Sequence, residues 1–277
     1  MTPSYKQLAR AIRDVLASGL AAPRRAVYPL PEGGQFLVMP ALDARLVLVK
    51  LVTVLPGRDP SVTAEIWAQR LDTGEVLHLP AEELTVRRTA ALSLLAAWTL
   101  APRREGALLL VGAGRQARGH LEAFTEGLAL TRVLIKGRSP ERVEALLEAA
   151  RALGLPAEPF AGRYPEDLAF VVTATTSKEP VVSADLPEGV FVAAVGSFTP
   201  EARELPEALV ERAELVVADT EDALAEAGEL QGLPPGRVRL LAELIENPPR
   251  LQGTVVFKST GHAIFDLAAV RSLVLGL

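Results

Sequence analysis

Residues 107–117 read ALLLVGAGRQA, a run of apolar residues followed by a glycine-rich turn. The hexapeptide Gly112-Ala113-Gly114-Arg115-Gln116-Ala117 fits the G-x-G-x-x-G/A pattern. In that pattern the first glycine permits a tight turn, the second lets a pyrophosphate approach the backbone, and the final small residue lets a helix pack closely on the strand. The stretch therefore predicts a dinucleotide-binding strand–loop–helix unit, with an ordinary strand–helix turn as the alternative.

The residues after this loop alternate between helical and strand-like patterns. Helical spacing at 118–130 is followed by the strand-like RVLIKG at 132–137 and by a second helical pattern at 139–154. Further short, apolar, β-rich runs come later in the chain, such as VFVAAVGS at 190–197. This order is typical of a parallel sheet, so we assign a Rossmann-type dinucleotide-binding domain to residues 105–256.

The residues before this domain have a different pattern. Residues 4–18 have helical spacing, and short apolar runs separated by turn residues follow from 25 to 79. The turn Asp72-Thr73-Gly74 between two such runs predicts a hairpin, and therefore a mainly antiparallel sheet. Thr85 is the predicted N-cap of a long helix that ends near Pro102.

The last segment of the chain, 261–277, is an amphipathic helix pattern beyond the parallel sheet. We expect it to pack back on the N-terminal part of the chain. The predicted fold class is thus α/β, with a Rossmann-type parallel-sheet domain and a discontinuous α+β domain formed by residues 1–104 plus 257–277.

Composition excludes some classes of protein. The 277 residues carry a net charge of −5, which argues against a general binder of nucleic acid or of anionic membranes. There is no cysteine, and the three histidines lack ligand spacing, so no metal site is predicted. Charged residues interrupt the first 25 residues, and no apolar stretch reaches about 18 residues, so we expect a cytoplasmic protein without a membrane span.

The end of the predicted second strand bears on the choice of cofactor. NAD-specific domains place an acid there for the ribose 2′-hydroxyl, whereas an arginine accommodates the 2′-phosphate of NADP. Here the strand ends in Gly137-Arg138-Ser139, with Arg142 one turn later. This pattern predicts that NADPH is preferred and NADH is the alternative cofactor, unless both arginines are solvated surface residues.

Motifs along nearly the whole chain resemble the ornithine cyclodeaminase/mu-crystallin family. In chain order they are LTVRRTAA at 84–91, GAGRQA at 112–117, TATTS at 173–177, VGSFTP at 195–200 and FKSTG at 257–261. The resemblance implies a homodimer in which the discontinuous domain binds substrate and forms the dimer. It also implies an enzyme that acts on α-amino or α-imino acids with a nicotinamide cofactor.

Within that family, cyclodeaminases and related alanine dehydrogenases place a catalytic Asp where this chain has Phe198. Deamination of an α-amine needs a base, which a phenyl ring cannot supply. The form Gly196-Ser197-Phe198-Thr199-Pro200 instead resembles the ketimine reductase branch. The resemblance thus implies NAD(P)H-dependent reduction of Δ1-pyrroline-2-carboxylate or Δ1-piperideine-2-carboxylate to the L-imino acid. The alternatives are a cyclodeaminase or other amino-acid dehydrogenase, and a crystallin-like NADPH or small-ligand binder without turnover.

The resemblance also assigns the residues that meet the substrate. The family's carboxylate-binding cations map onto Arg25, Lys50 and Arg88, and Lys50 and Arg88 are the predicted catalytic residues. Phe198 and Glu243 complete the predicted substrate-binding set.

Two of these cations have alternative explanations. Lys50 interrupts the apolar run LVLVKLVTV, where an unpaired ammonium would be costly, so it either has a partner or lies on the wet face of an edge strand. Arg88 either meets an anion or pairs with Glu82 or Glu83.

The predicted cofactor-binding residues come from the glycine-rich loop, the second strand end and the family motifs. They are Thr89, Gly112, Gly114, Arg115, Gln116, Ala117, Gly137, Arg138, Ser139, Arg142, Ala174, Thr175, Thr176, Val195 and Gly261. His262, which follows the last of them, is either a proton donor or a helix cap.

Overall fold

The computed structural model describes residues 2–20, 22–31, 33–58 and 62–275. Its contacts divide the chain into two compact units. Unit 1 contains residues 1–89 with 262–277, and unit 2 contains residues 90–261. The predicted α/β fold class is confirmed, because one sheet is antiparallel and the other is entirely parallel.

Unit 1 is built around a five-stranded antiparallel sheet in the order β1-β2-β3-β4-β5. Its elements are α1 Tyr5–Ala17, β1 Ala26–Pro29, β2 Gln35–Leu42, β3 Leu46–Val54, β4 Val62–Arg70, β5 Val76–Pro80, the first part of α2 Ala81–Leu100, and α8 Ala263–Val274. The predicted hairpin joins β4 to β5, with Gly74 at a φ of 74°. This sheet is therefore a simple meander, with β3 at its centre.

Helices cover one face of this sheet. The first helix begins at a capping box in which the Ser4 side chain accepts from the Gln7 amide and the Gln7 side chain accepts from the Ser4 amide. Its buried side, which includes Leu8, Ile12 and Val15, packs with α8. Because α8 also contacts β2 and β3, the end of the chain completes the core of unit 1.

Unit 2 is built around an eight-stranded parallel sheet in the order β12-β11-β13-β10-β9-β6-β7-β8. Its strands are β6 Glu105–Val111, β7 Ala129–Lys136, β8 Ala157–Pro159, β9 Leu168–Thr173, β10 Phe191–Ala194, β11 Leu215–Ala218, β12 Val238–Leu240 and β13 Val255–Lys258. Its helices are α3 Arg115–Gly127, α4 Pro140–Ala152, α5 Glu207–Arg212, α6 Asp222–Glu226 and α7 Leu241–Leu244, with a 3-10 turn at Gly228–Leu230. Every residue of β9, β10 and β13 is buried, which explains why these strands are apolar apart from Thr173 and Lys258 at their carboxyl ends.

The contact-defined units divide at different residues from the predicted domains. One division falls inside α2, between Thr89 and Ala90, whereas the sequence-based boundary was 104/105. The other falls at 261/262, because β13 pairs with β10 and β11 and so belongs wholly to the parallel sheet. A boundary at 256/257 would cut this strand.

The helix α2 also begins earlier than its sequence suggested. Thr85 is not its N-cap but lies in its second turn, where its hydroxyl donates to the Ala81 carbonyl at 2.6 Å. Glu82 and Glu83 occupy the first turn, where the helix dipole stabilises acidic side chains.

No helix in the described part of the chain has the length and apolar character needed to cross a bilayer.

Candidate functional site

A cavity of about 480 Å³ opens in unit 2 at the carboxyl ends of β6, β7 and β9. In a parallel α/β sheet this edge is where ligands bind. The cavity brings together many of the predicted cofactor-binding residues: Gly112, Gly114, Gly137, Arg138, Ser139, Arg142, Ala174, Thr175 and Thr176.

The glycine-rich loop has the conformation that its pattern predicts. Gly112 has a φ of 113°, and a Cβ there would lie 2.5 Å from the Ala174 carbonyl oxygen. At Gly114, the N-cap of α3, a Cβ would have no atom of the described residues within 4 Å beyond its immediate chain neighbours. The loop is thus held tightly against the sheet and leaves open space at the helix N-terminus, which fits a pyrophosphate. On these contacts the residues present fit a dinucleotide.

The strand-end cations Arg138 and Arg142 line this cavity, and Glu141 lies between them in the chain, in the first turn of α4. Ser139 caps α4 by accepting from the Arg142 amide, and its hydroxyl donates to a Glu141 carboxylate oxygen at 2.8 Å. This hydrogen bond lowers the pKa of Glu141, so the carboxylate is ionised at neutral pH. Arg138 is exposed. The strand end itself carries no acid, but an ionised Glu141 follows it in the first turn of α4.

The other predicted cofactor residues do not line the cavity. Arg115, Gln116 and Ala117 form the first turn of α3, and Thr89 lies in α2, where its hydroxyl donates to the Thr85 carbonyl at 2.7 Å. Val195 follows β10, and Gly261 follows β13 with its amide donating to an Asp219 carboxylate oxygen at 2.9 Å. Contacts of these residues with a cofactor stay predictions.

Two buried carboxylates that the sequence reasoning missed join the ends of three neighbouring strands in unit 2. Glu204 accepts from the amides of Thr175, after β9, and Gly196, after β10, both at 2.7 Å. Glu229 lies 3.1 Å from the Lys258 ammonium, at the end of β13, and accepts from the Ser197 hydroxyl at 2.9 Å. The cavity wall at Thr175 is thus held by buried charge. The only sequence signal was a lysine at the end of the apolar run VVFK.

The predicted cations of unit 1 meet at a buried carboxylate. The Lys50 ammonium lies 3.2 Å, and the Arg88 Nε 3.1 Å, from the same Asp266 carboxylate oxygen. Lys50 also donates to the Thr85 hydroxyl at 2.7 Å. Because β3 is the central strand and Lys50 is buried, the edge-strand alternative was wrong. Asp266, on α8, is the partner of Arg88 in this cluster.

The electrostatics of this cluster depend on burial and on four charges. The pKa of Lys50 is lowered to about 8, chiefly by burial; the charges of Arg88 and Arg25 also lower it, and the Asp266 charge raises it. Burial alone would raise the pKa of Asp266, but Arg88 and Lys50 outweigh burial and hold it below its usual value. Arg25, which is half-buried, therefore acts on the same cluster.

Two polar atoms of the cluster have unused hydrogen-bonding capacity. Arg88 Nη1 and Asp266 Oδ2 are both buried, and neither has a hydrogen-bond partner among the described residues. A buried guanidinium N–H without an acceptor is costly unless a ligand supplies one. The cluster thus combines three cations with one anion and has a buried guanidinium N–H that lacks an acceptor among the described residues.

The last two predicted substrate residues belong to unit 2. The Phe198 side chain is 43% exposed and lies in the segment after β10. Glu243 is exposed on α7, where its carboxylate accepts from Arg239 Nε at 2.6 Å. A substrate contact by either residue stays a prediction. His262 is a cap, because its Nδ1 accepts from the Ile264 amide at the start of α8.

Comparisons with known proteins show which family the sequence matches. A profile of the ornithine cyclodeaminase/mu-crystallin family matches residues 5–274. The Δ1-pyrroline-2-carboxylate reductase 1 of Burkholderia multivorans is 36% identical over 96% of this chain and 88% of its own. The Δ1-pyrroline-2-carboxylate/Δ1-piperideine-2-carboxylate reductase of Azospirillum brasilense is 35% identical over the same shares of the two chains.

A solved structure has the same fold. It is the Thermococcus litoralis Δ1-pyrroline-2-carboxylate reductase in complex with NADH and L-proline, which is 27% identical and covers 100% of this chain and 95% of its own, with a TM-score of 0.87. The family resemblance inferred from the motifs is thereby confirmed. The chain belongs to the ornithine cyclodeaminase/mu-crystallin family.

Proposed function

We propose that this protein reduces a cyclic ketimine carboxylate, Δ1-pyrroline-2-carboxylate or its six-membered homologue, to the corresponding L-imino acid. The observation that carries the proposal is the buried cluster of Lys50, Arg88 and Asp266, in which Arg88 Nη1 has no hydrogen-bond partner within the described part of the chain. Three reductases with this fold or sequence, two of them at least 35% identical to this chain, act on such substrates.

In this proposal the chain works mainly by positioning. Arg88 Nη1 donates to the substrate carboxylate, and the charges of Lys50 and Arg25 offset the cost of removing that carboxylate from water. A substrate fixed in this way presents its C=N bond in one orientation. Holding two reactants in a fixed orientation accounts for a large part of the lowering of the activation barrier in a two-reactant step. Since a protonated cyclic imine is already cationic, little acid catalysis is required.

A reduced nicotinamide dinucleotide supplies the hydride for this chemistry when it is bound. We propose that the loop at Gly112 and Gly114 holds its pyrophosphate. We also propose a preference for NADPH, since Arg138 and Arg142 supply guanidinium groups at the cavity for a 2′-phosphate. Glu141 opposes this preference, so we expect it to be moderate and NADH to be accepted.

Phe198 argues against cyclodeamination. A phenyl ring cannot take the ammonium proton of ornithine, and it would leave the terminal ammonium without a partner. The same apolar side chain suits ring methylenes, which gain about 25 cal/mol per Å² of apolar area removed from water.

We further propose that the protein is a homodimer built on the sheet of unit 1. The face opposite Lys50 has exposed apolar side chains beside the ion pair of Glu65 and His78, with Val49 paired in register to Trp67 and to Pro40. Trp67 is 45% exposed and stacks on His78. A second copy of this chain would cover this face, as the family resemblance implies. The cytoplasm stays our predicted location.

The test is NADPH oxidation with a panel of cyclic ketimine carboxylates, set beside ammonia release from ornithine with catalytic cofactor. We expect rapid ketimine reduction and negligible ammonia. Robust ammonia release would mean that another residue is the base and that the enzyme is a cyclodeaminase. Tight NADPH binding with no turnover of any substrate would instead identify a binding protein.

A further inference from the structure

Asp266 is the one anion in the cation cluster of unit 1, among the residues that the structure describes there. Its side chain is fully buried, and one of its oxygens accepts from both the Lys50 ammonium and the Arg88 Nε. A carboxylate buried this deeply beside a proposed carboxylate-binding site is unexpected, because it repels the anion that the site is to bind. Its presence therefore needs a physical explanation.

The explanation lies in the cost of burying like charges together. Lys50, Arg88 and Arg25 repel one another, and burial removes the water that would screen them. Without a counter-charge, the lysine is the member that would give up its proton, since an arginine keeps its charge under all ordinary conditions. A neutral Lys50 would no longer attract a carboxylate.

Asp266 also fixes the direction in which the Arg88 guanidinium and the Lys50 ammonium point. Its shared oxygen takes the Arg88 Nε, which leaves the Nη1 of the same planar guanidinium without a partner among the described residues. Because the guanidinium is rigid, fixing Nε fixes where Nη1 points. The Lys50 ammonium is fixed in the same way between Asp266 and Thr85.

We propose that Asp266 is a positioning residue, which keeps Lys50 charged and aims Arg88, and which thereby sets the highest pH at which the enzyme binds its substrate. This inference rests on the proposed function for its consequence in turnover, but its effect on Lys50 is a property of the free protein. Charged groups that face Lys50 from neighbouring elements are Asp266 on α8, Arg88 on α2 and Arg25 before β1.

Lysine NMR tests the effect on Lys50 directly. The chain has only five lysines, so ¹³C-labelled lysine side chains give a simple spectrum, in which Lys50→Arg identifies the Lys50 signal. In the wild type we expect this signal to titrate with a midpoint of about pH 8. In Asp266→Asn the midpoint falls by about 1 to 3 pH units, the usual effect of losing an opposite charge at this distance.

A matched control comes from the same helix. Arg271 on α8 lies 3.0 Å from Asp43, so Asp43→Asn also removes a carboxylate that pairs with an arginine in unit 1. We expect this variant to lose stability but to keep the wild-type Lys50 midpoint. If Asp266→Asn does not fold, Asp266→Glu replaces it, because the longer side chain displaces the carboxylate. The titration midpoint of Lys50 must then change in Asp266→Glu and stay unchanged in Asp43→Asn.

Kinetics complete the test. The alkaline limb of kcat/KM for the ketimine should move to lower pH in Asp266→Asn by the same amount as the Lys50 midpoint, while the Kd for NADPH stays unchanged. The substrate imine titrates identically in all variants, so it cancels in the comparison. An unchanged Lys50 midpoint overturns the role of Asp266. A shifted midpoint in a protein that reduces no ketimine overturns only the proposed function.

Discussion

The cavity of unit 2 and the cation cluster of unit 1 are both suited to anions, but they handle charge in opposite ways. The cavity relies on a glycine loop and a helix N-terminus, with its arginine side chains in contact with solvent. The cluster relies on Lys50 and Arg88, both buried and paired with Asp266. Water screens the first set of side chains and not the second. Each side chain of the cluster should therefore matter far more than any exposed arginine of the cavity.

The largest expected effect comes from Arg88→Met. Arg88 Nη1 is the proposed donor to the substrate carboxylate, and losing one partner of a buried, hydrogen-bonded charge pair in binding typically costs about 3 kcal/mol or more. We therefore expect kcat/KM for the ketimine to fall by at least about a hundredfold. The Kd for NADPH should change little. Arg87→Met is the matched control, because Arg87 donates to the Pro3 carbonyl and lies 4.3 Å above the Tyr5 ring. Equal losses in the two variants would contradict the comparison.

An acid titration tests the scaffold behind the cavity. His120 on α3 is fully buried between the Gln116 carbonyl, at 2.7 Å, and the Ser93 hydroxyl, at 2.9 Å. A carbonyl only accepts, so Nδ1 carries the proton and Nε2 accepts from Ser93. Burial lowers the pKa of His120 from 6.5 to about 4.

This lowered pKa makes the folded protein less stable as the pH falls. The unfolded chain takes up a proton as the pH falls through about 6.5, whereas the folded chain resists until about 4. The contribution of His120 to the free energy of unfolding is therefore fully present above the pKa that it has in the unfolded chain, and about 3 kcal/mol of it is lost by about pH 4. Urea unfolding at several pH values should show this loss in the wild type and a flatter dependence in His120→Gln. Parallel curves would show that His120 titrates normally.

A smaller effect is expected at the exposed arginines of the cavity. Arg138→Ala should weaken NADPH binding about tenfold, the scale of one charge-assisted hydrogen bond, and leave NADH binding unchanged. Fluorescence titration with both cofactors measures this difference. Glu141→Gln should act in the opposite direction, because it removes a negative charge beside Ser139.

Arg118→Ala provides the neutral reference for these titrations, since Arg118 lies on α3 and pairs with Glu122. If Arg138→Ala weakens the binding of NADPH and of NADH equally, Arg138 does not recognise the 2′-phosphate. A loss as large as that of Arg88→Met would remove the contrast between exposed and buried cations.

The regions that could be predicted from sequence are those whose parts are adjacent in the chain. The strand, loop and helix at 105–127 form one continuous motif, and the hairpin turn at Asp72-Thr73-Gly74 is equally local. Their conformations follow from backbone sterics and hydrophobic periodicity, which act over a few residues. Glu141 shows the limit, because the sequence places it two residues after Ser139, but only the structure shows that its carboxylate accepts from the Ser139 hydroxyl.

What the sequence by itself determined is the α/β fold, the glycine-rich loop and the family, because each depends on local patterns. Only the tertiary structure decided that Lys50 is buried in a central strand and that Asp266, 216 residues away, is its partner. Asp266 interrupts the apolar run AIFDLAA as Lys50 interrupts its own, but the sequence does not distinguish two separate charges from one buried pair. That distinction arises when α8 packs on β3 and removes both charges from water, which makes their pairing obligatory.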